Sequence, residues 1–414
     1  MAQEVSAQRW KEHVLGELTP APAPLWKLDG IQWLLTAGSL LNAIAFFSAL
    51  PFASLYLDTA TDLSAVVIGG VVGGIALIAS VGGMLGGLLI DRFGAVPLML
   101  LGLIGYVLIY AGLTQASATG AIVALLLGLG AARLLVEPGG KKLMSLAADP
   151  DGRIFRVRYM VLCAGAIVGP AIGGVLYTTS ITAFFAVPAV FYTAYLVFVL
   201  LFRARLTALE TARATTGGRF PLREALRDRR LLAASGAGIV IFFVFSQLDS
   251  MIPLFMAREW GDRAAHLFAG LFIANAVLAL VFQMPIAWLS DRMPRARLVL
   301  AGCLGFALAF GCFWASASLG LPLLYLGIVL WTLGEGVLLP LPDIAVHELA
   351  DDDRKGTYFG VAEIRYLGFF AGPFIGGVLL PTAGLYFTVM GLAVFACVPL
   401  LVGRLVGRLP RRAR

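Results

Sequence analysis

Charged residues are scarce in this chain of 414 residues. Asp, Glu, Lys and Arg together make up 13% of the sequence, whereas hydrophobic residues make up 60%. A soluble globular protein has about 25% charged and roughly 45–50% apolar residues. The chain therefore lacks the polar surface that a soluble domain needs, and we expect an integral membrane protein.

Residues that carry metal, redox or nucleophilic chemistry are also few. The four cysteines all fall inside apolar stretches, and the three histidines are scattered along the chain. This pattern predicts neither a disulfide framework nor a metal site. The sequence has no Gly-x4-Gly-Lys-Ser/Thr phosphate-binding loop and no nucleophile motif with a histidine base. We therefore expect no enzymatic activity, no ATP hydrolysis and no cofactor.

Long apolar stretches, in contrast, fill most of the sequence. A transmembrane helix needs about 20 predominantly apolar residues. The sequence predicts twelve such helices, numbered 1 to 12 in chain order, over residues 31–57, 63–90, 96–114, 120–146, 155–178, 182–203, 231–257, 264–290, 297–317, 321–349, 356–380 and 384–403.

The basic residues predict how these helices are oriented. Nearly all Lys and Arg residues fall in the two tails and in the turns of one side, while the opposite side has only Arg258 and Arg263. The positive-inside rule then places both termini and the central linker in the cytosol. The net charge of +7 belongs to this membrane face, so we expect a lipid bilayer and no nucleic acid as partner.

Two sequence patterns occur once in each half of the chain. Asp91-Arg92 recurs as Asp291-Arg292, each pair after a long apolar stretch. The pattern Gly-x3-Gly-Pro-x2-Gly-Gly contains Gly169-Pro170 in helix 5 and Gly372-Pro373 in helix 11. These repeats predict an all-α polytopic membrane protein with twelve transmembrane helices in two pseudo-symmetric six-helix bundles. Two like halves in a membrane are the usual architecture of a secondary transporter.

The polar linker divides the chain into its expected parts. It separates six predicted helices from the other six, and a polar tail stands at each end. The expected divisions are a cytosolic N-terminal tail at 1–30, a bundle at 31–203, a cytosolic linker at 204–230, a second bundle at 231–403 and a basic cytosolic tail at 404–414.

Together these motifs resemble the major facilitator superfamily over about residues 31–403, and most of all its twelve-helix drug:proton antiporters. Arg133 stands where the helix-4 arginine of the exporters is expected. The family's loop motif usually continues with basic residues, whereas here Gly94 is followed by Ala95-Val96-Pro97. The glycine-proline pattern also occurs in helix 11, so it indicates helix packing as well as a direction of transport.

The resemblance implies a carrier of the plasma (inner) membrane that works as a monomer by alternating access. It would export small amphipathic organic compounds in exchange for protons, driven by the proton gradient alone. Two alternatives fit the same motifs. One is a proton-coupled symporter for a peptide, sugar or organic acid, and the other is a dedicated exporter of a metabolite such as a metallophore.

Gating residues are predicted where the motifs repeat. The resemblance implies that Asp91 caps the start of helix 11 near Gly356-Thr357, and that Asp291 does the same near Arg153. An ordinary solvated turn is the alternative. The small-residue stripes form either simple packing surfaces or the seam along which the halves slide. The gating candidates are Gly87, Asp91, Arg92, Gly94, Asp291, Arg292, Gly169, Pro170, Gly372 and Pro373.

Ionisable residues within the apolar stretches are the strongest indication of a functional site, because a charge at bilayer depth is costly unless it is paired or hydrated. Glu335 stands between two glycines in helix 10 and has no basic residue within a helical turn. Such a carboxyl group can load and release a proton near physiological pH. We predict that Glu335 is the main proton-coupling residue, unless it pairs with Arg365. Asp249 and Glu137 are further proton-coupling candidates.

Candidates for substrate binding are polar or aromatic residues in the predicted helices. Arg133 and Glu137 lie one helical turn apart, so they can pair with each other. A mixed, largely apolar cavity would suit amphipathic molecules. For the aromatic residues, packing in the protein core or against lipid is the alternative. The substrate-binding candidates are Asn42, Arg133, Gln247, Asn275, Arg365, Phe46 and Trp331.

Overall fold

The computed structural model describes residues 28–148, 153–212, 226–349, 358 and 361–402. Within these ranges, the side chains of 81–88, 91, 153, 156 and 291 lie outside the description. The tails at 1–27 and 403–414 and residues 213–225 of the predicted linker also lie outside the described residues. Every described element is helical, as the sequence predicts.

All twelve predicted helices have helical counterparts. The helices of the first half span Gly30–Ala60, Ala65–Phe93, Ala95–Leu113, Thr119–Ala147, Arg153–Thr179 and Ile181–Leu201. Those of the second half span Arg229–Phe245 with Met251–Trp260 (helix 7), Ala264–Arg292 (helix 8), Arg295–Leu319 (helix 9), Leu321–Leu338 with Leu341–Leu349 (helix 10), Glu363–Tyr366 with Leu367–Leu379 (helix 11), and Ala383–Val402 (helix 12).

Apolar length supports a protein that crosses the membrane many times. Over the described residues, nine helical stretches are long and apolar enough to span a bilayer. One of these, Met251–Ser290, runs from the second part of helix 7 through helix 8. Over the described residues, the apolar stretches of helix 2, helix 11 and the first part of helix 7 are too short to count among these nine. That these three segments cross the membrane stays a prediction.

Prolines explain where the long helices break. Helix 7 is interrupted at residues 246–250, directly before Pro253, because a proline ring clashes with the carbonyl group four residues earlier. Helix 1 changes to a 3-10 turn at Leu50–Phe52, which contains Pro51. Helix 10 is interrupted at Leu339 and Pro340. These breaks place irregular backbone within the long helices of the bundle, where it can line a site.

The Asp-Arg pairs lie in the last helical turns and not in the connecting turns that the sequence predicts. Helix 2 continues to Phe93 and ends at Gly94, whose φ of 86° favours glycine. Helix 8 continues to Arg292, and Met293 then adopts an extended conformation because a proline follows it. The apolar pattern ends at each aspartate, but the backbone hydrogen bonds continue past it.

The pairing of helices is the same in both halves. In the first half, helix 1 packs against helices 5 and 6, helix 3 against helices 4 and 6, and helix 2 against helix 4. In the second half, helix 7 packs against helices 11 and 12, helix 9 against helices 10 and 12, and helix 8 against helix 10. The two bundles are therefore pseudo-symmetric, as the sequence repeats predict.

Two symmetric seams join the halves, helix 2 with helix 11 and helix 5 with helix 8. At the first seam the backbones touch, because a Cβ atom added to Gly73 would lie 2.6 Å from the carbonyl oxygen of Phe370. At the second, a Cβ atom on Gly174 would lie 2.5 Å from that of Ala269. Small residues permit this close approach.

Most glycines of the glycine-proline stripes face helices of their own half, which agrees with packing, one of the two roles that the sequence allows. An added Cβ at Gly169 would meet Phe47 of helix 1 at 2.7 Å, and Gly165 faces the same helix at Ala43. Gly372 likewise faces helix 7, at Ser246. These glycines pack each bundle internally, and only the last glycine of each stripe, Gly174 or Gly377, faces the opposite half. Pro170 and Pro373 are buried within their helices.

We call the side that contains the first and last described residues the termini side, and the other the distal side. On the termini side, a linker helix at Arg203–Ala212 packs on the first half. Both carboxylate oxygens of Glu210 accept the backbone N–H of Ala95, at 2.9 and 3.1 Å, at the start of helix 3. Lys142 Nζ lies 3.2 Å from the same carboxylate. Glu210 thus fixes the turn that follows the first Asp-Arg pair.

Candidate functional site

Arg133 lies in the middle of helix 4, and its side chain packs against helix 1. Its guanidinium carbon stands 4.7 Å from the centre of the Phe46 ring on helix 1, in a cation–π contact. It is also within electrostatic range of Asp249 and Tyr366, which belong to the second half. In the described part of the chain, Arg133 has no ion-pair partner within 4 Å. The helix 4 arginine is therefore a fixed cation at the interface of the halves.

Asp249 is positioned by the break in helix 7. It lies in the irregular turn between Phe245 and Met251, and its side chain is partly buried. A carboxylate in such a turn can face the space between the halves, because no regular helix fixes its direction. Asp249 interacts electrostatically with Arg133, which belongs to the first half.

Glu335 is held by neutral hydrogen-bond donors. Asn275 Nδ2 on helix 8 donates to Oε2 of Glu335 at 2.8 Å and also to Oγ1 of Thr332 at 2.9 Å. Thr332 in turn donates to the carbonyl oxygen of Ile328, one turn earlier in helix 10. Among the residues that the structure describes, no cation forms an ion pair with Glu335. The site is a carboxyl group whose position is set by an amide.

Two residues of helix 5 face this carboxyl group from the first half. Tyr159 and Cys163 lie one turn apart, and both are within electrostatic range of Glu335. The structure thus brings Phe46, Arg133 and helix 5 together with Asp249, Asn275 and Glu335. Asn42 is half-buried four residues before Phe46, on the same face of helix 1.

Arg133 and Glu137, which the sequence allows to pair, interact electrostatically, but they form no ion pair within 4 Å in the part of the chain that the structure describes. Glu137 Oε1 accepts a hydrogen bond from Arg158 Nη2 of helix 5 at 2.8 Å, and Lys141 Nζ lies 3.8 Å from the same oxygen. The sequence placed Arg133 within reach of Glu137, but the guanidinium extends to the Phe46 ring instead. Glu137 therefore links helices 4 and 5 towards the termini side.

The predicted pair between Arg365 and Glu335 is wrong. Arg365 forms ion pairs with Asp343 and with Glu363, the latter at 3.1 Å. Glu363 and Arg365 lie two residues apart and would face different sides of an α-helix, but the 3-10 turn Glu363–Tyr366 brings them together. Because its side chain is only 11% exposed, Arg365 serves as an internal link of the second half rather than a residue of the space between the halves.

Two other predicted substrate residues point into the second bundle. Gln247 is fully buried, donates to the carbonyl oxygen of Phe243 and accepts a hydrogen bond from Tyr386 on helix 12. Trp331 is also fully buried, and its ring packs 4.7 Å from that of Phe306 on helix 9. Hydrophobicity and polarity alone do not tell which face of a helix is internal to its bundle, and here both side chains face inward.

Two of the gating candidates, Arg92 and Arg292, are exposed on the termini side. Arg92 lies over the ring of Phe93 and Arg292 over that of Trp288, with distances of 5.3 and 3.9 Å to the ring centres. The structure does not describe the surroundings of Gly87 or the side chains of Asp91 and Asp291. The segment with Gly356-Thr357 also lies outside the described residues. The predicted capping of helix 11 by Asp91, and of helix 5 by Asp291, stays a prediction.

Sequence reasoning missed Thr332 and Arg158. Thr332 stands three residues before Glu335, so helical spacing alone places both on one face. Arg158 lies in the polar beginning of helix 5, where it resembles any other basic residue at a membrane boundary. Only the contact between helices 4 and 5 identifies it as the partner of Glu137.

This arrangement can exchange protons and bind charged or polar solutes. A carboxylate accepts the hydrogen bond of Asn275, and a protonated carboxyl group retains one oxygen that can do so. Glu335 can therefore keep this partner in both protonation states. Arg133 and Asp249 present opposite charges from opposite halves, with a largely apolar bundle around them.

These features define a helical membrane transporter with two pseudo-symmetric halves and an ionisable site between them. The chain belongs to the Major Facilitator Superfamily, whose family model matches residues 35–373 and 248–414. It is not expected to be an enzyme, and its family and relatives are transporters.

Relatives with similarity over most of their length support the same class. The chain is 27% identical over 368 residues to YqjV of Bacillus subtilis, an uncharacterized MFS-type transporter, covering 87% of this chain and 88% of the relative. It is 25% identical over 362 residues to the multidrug resistance protein MdtH of Yersinia enterocolitica, covering 85% of each. The fold is similar to that of a POT family transporter crystallised with 5-aminolevulinic acid, with a TM-score of 0.75, 13% identity and coverage of 92% and 96% of the two chains.

Proposed function

We propose that this protein exports small amphipathic organic compounds in exchange for protons, with Glu335 as the main proton carrier. The termini side would face the cytosol of the plasma (inner) membrane, as the distribution of basic residues indicates. The protein would work as a monomer, and the proton gradient would be its energy source. The similarity to MdtH, which is named a multidrug resistance protein, favours export.

The observation that carries this proposal is the environment of Glu335. Its carboxyl group is bound by Asn275 at 2.8 Å and lies within electrostatic range of helix 5 in the opposite half. A carboxylate locked to an arginine would stay ionised through the cycle. The hydrogen bond from a neutral amide leaves Glu335 free to gain and lose a proton as the halves move.

Antiport follows if solute and proton compete for the same groups. A cationic solute that approaches Glu335 or Asp249 would be attracted to the ionised carboxylate and would favour release of its proton. When the solute leaves, the carboxyl group can be protonated again. Asp249 and Arg133 belong to opposite halves and interact electrostatically, so a solute that binds to both would contact both moving bodies.

Arg133 favours a second candidate function, the symport of a solute that carries a carboxylate. A fixed guanidinium is a strong binding partner for an anionic group. Protonation of Glu335 would then remove a negative charge from the site before an anionic solute enters. This function uses the same residues, but the proton and the solute move in the same direction.

The test is a transport measurement in liposomes with an imposed pH gradient and an internal pH dye. Cationic, neutral and anionic amphiphiles are added to the parent protein, to Glu335→Gln and to Glu348→Gln. Glu348 is a suitable control because it is 40% exposed and pairs with Arg295 on the termini side.

We expect the solute to drive protons in the opposite direction in the parent protein. This proton movement should be absent in Glu335→Gln and retained in Glu348→Gln. Movement of both in one direction would establish symport. If the solute equilibrates in Glu335→Gln with the same proton movement as in the parent, Glu335 does not carry the proton.

A further inference from the structure

The distal side of the molecule is closed by aromatic residues from both halves. Phe52 of helix 1 meets Phe268 of helix 8 edge to face, with ring centres 5.3 Å apart. Phe47 and Phe272, of the same two helices, lie 5.8 Å apart. Phe52 and Phe268 are fully buried. A transporter that alternates access must separate these surfaces when it opens to the distal side.

Arg258 lies near the distal ends of the helices, which we call the distal rim, beyond the aromatic residues Phe47, Phe52, Phe268 and Phe272. Its Nη1 donates to the carbonyl oxygen of Leu380 at 3.2 Å, at the end of helix 11. The carbonyl groups at a helix C-terminus lack intrahelical partners and carry partial negative charge, so a cation stabilises them. Arg258 is also within electrostatic range of Asp58 at the end of helix 1. The guanidinium thus links helices 7 and 11 of its own half and attracts a carboxylate of the other half.

A second polar contact crosses the rim between helices 5 and 8. Thr178 Oγ1 lies 3.3 Å from Nε2 of His266, and the two residues belong to opposite halves. The neighbouring Thr179 provides a comparison within the same helix. Both threonines donate to the carbonyl oxygen of Val175, but the hydrogen bonds of Thr179 in the described residues stay within helix 5.

We propose that Arg258, Asp58, Thr178 and His266 form a distal latch that sets the balance between the closed and open states of this side. The latch is independent of the transported solute and of the coupling ion. When the distal side opens, water hydrates the separated groups and offsets much of the lost interaction. Each contact therefore favours the closed state only modestly over the open state. An exposed polar contact of this kind shifts a two-state equilibrium by about two- to five-fold.

Distances between spin labels can measure this balance directly. Labels are placed at Ser117 and Ser318, exposed residues at the distal ends of the first and second halves. The labelled protein carries serine at Cys303, Cys312 and Cys397, keeps the buried Cys163 and is studied in lipid nanodiscs. Double electron–electron resonance then gives the fraction of molecules with a widened distal side.

In Arg258→Gln and in Thr178→Val we expect the widened fraction to rise about two- to five-fold relative to the parent. Asp58→Asn added to Arg258→Gln should raise it little further, because both remove the same interaction. Arg258→Lys, which keeps the charge and a donor, should stay close to the parent.

Matched controls separate the latch from general effects of mutation at the rim. Arg263 is also exposed on the distal side and, within the described residues, has no hydrogen bond or ion pair. Arg263→Gln and Thr179→Val should leave the distance distribution unchanged. The proposal is overturned if Arg258→Gln and Thr178→Val give the same distribution as these controls. This readout involves neither solute nor protons, so it stands apart from the test of proton-coupled export.

Discussion

Arg133 and Glu335 occupy equivalent places in the two halves, each fourteen residues after the first residue of its helix, Thr119 or Leu321. The repeated architecture thus presents a fixed cation from the first half and a titratable acid from the second. Their surroundings differ accordingly. Arg133 lies over an aromatic ring, whereas Glu335 accepts a hydrogen bond from an amide.

Replacing Asn275 by leucine, which has a similar size, tests whether the amide positions the proton carrier. The change removes the hydrogen bonds to Glu335 and Thr332. A hydrogen bond to a charged group contributes about 1.5–3 kcal/mol, so proton-coupled transport should fall roughly 10- to 100-fold. The measurement is the transport rate in liposomes over a range of pH. Thr388→Val removes a hydroxyl group that donates to the carbonyl oxygen of Gly384 within helix 12, and it should have no effect. An unchanged rate and pH profile in Asn275→Leu would contradict the assigned role.

Replacing Glu137 by glutamine separates a structural role from a role in proton coupling. The ion pair with Arg158 joins helices 4 and 5, and the two side chains are 26% and 19% exposed. Loss of this partly buried pair should reduce the free energy of unfolding by about 1–2 kcal/mol. Thermal unfolding in detergent should show a lower melting temperature than Glu348→Gln. Unchanged stability together with lost proton movement would instead make Glu137 a proton-coupling residue, as the sequence predicts.

Adding a methyl group at Gly69 tests the seam between helices 2 and 11. A Cβ atom there would overlap with the carbonyl oxygen of Pro373. Gly69→Ala should therefore force the two helices apart. In the spin-label experiment, the fraction of molecules with a widened distal side should increase. Gly311→Ala is the control, since a Cβ atom there has no neighbour within 4 Å. It should stabilise helix 9 by up to about 1 kcal/mol. Identical distance distributions in the two variants would rule out the seam as a determinant of distal closure.

The membrane class, the helices and the duplication could be predicted because they are written in short-range patterns. Apolar length identifies a membrane helix, and the repeats around Asp91 and Gly169 recur near Asp291 and Gly372. Helix ends were less certain. The apolar pattern ends at Asp91, whereas the helix continues to Phe93 because Gly94 provides the first residue able to turn the chain.

The choice of interaction partners could not be predicted in the same way. Helical spacing allowed Arg133 to pair with Glu137, but Arg158 comes closer from helix 5. Composition allowed Arg365 to pair with Glu335, but a 3-10 turn and Asp343 hold the arginine inside the second bundle.

The sequence by itself determined that this is a helical membrane protein with two like halves, because hydrophobicity and internal repeats are properties of the linear chain. Only the tertiary structure decided that Glu335 is held by Asn275, that Arg133 packs on Phe46, and that Trp331 and Gln247 are internal to the second bundle. The physical reason is distance. A side chain's charge state and partners depend on groups within a few ångströms, and helices far apart in sequence supply them.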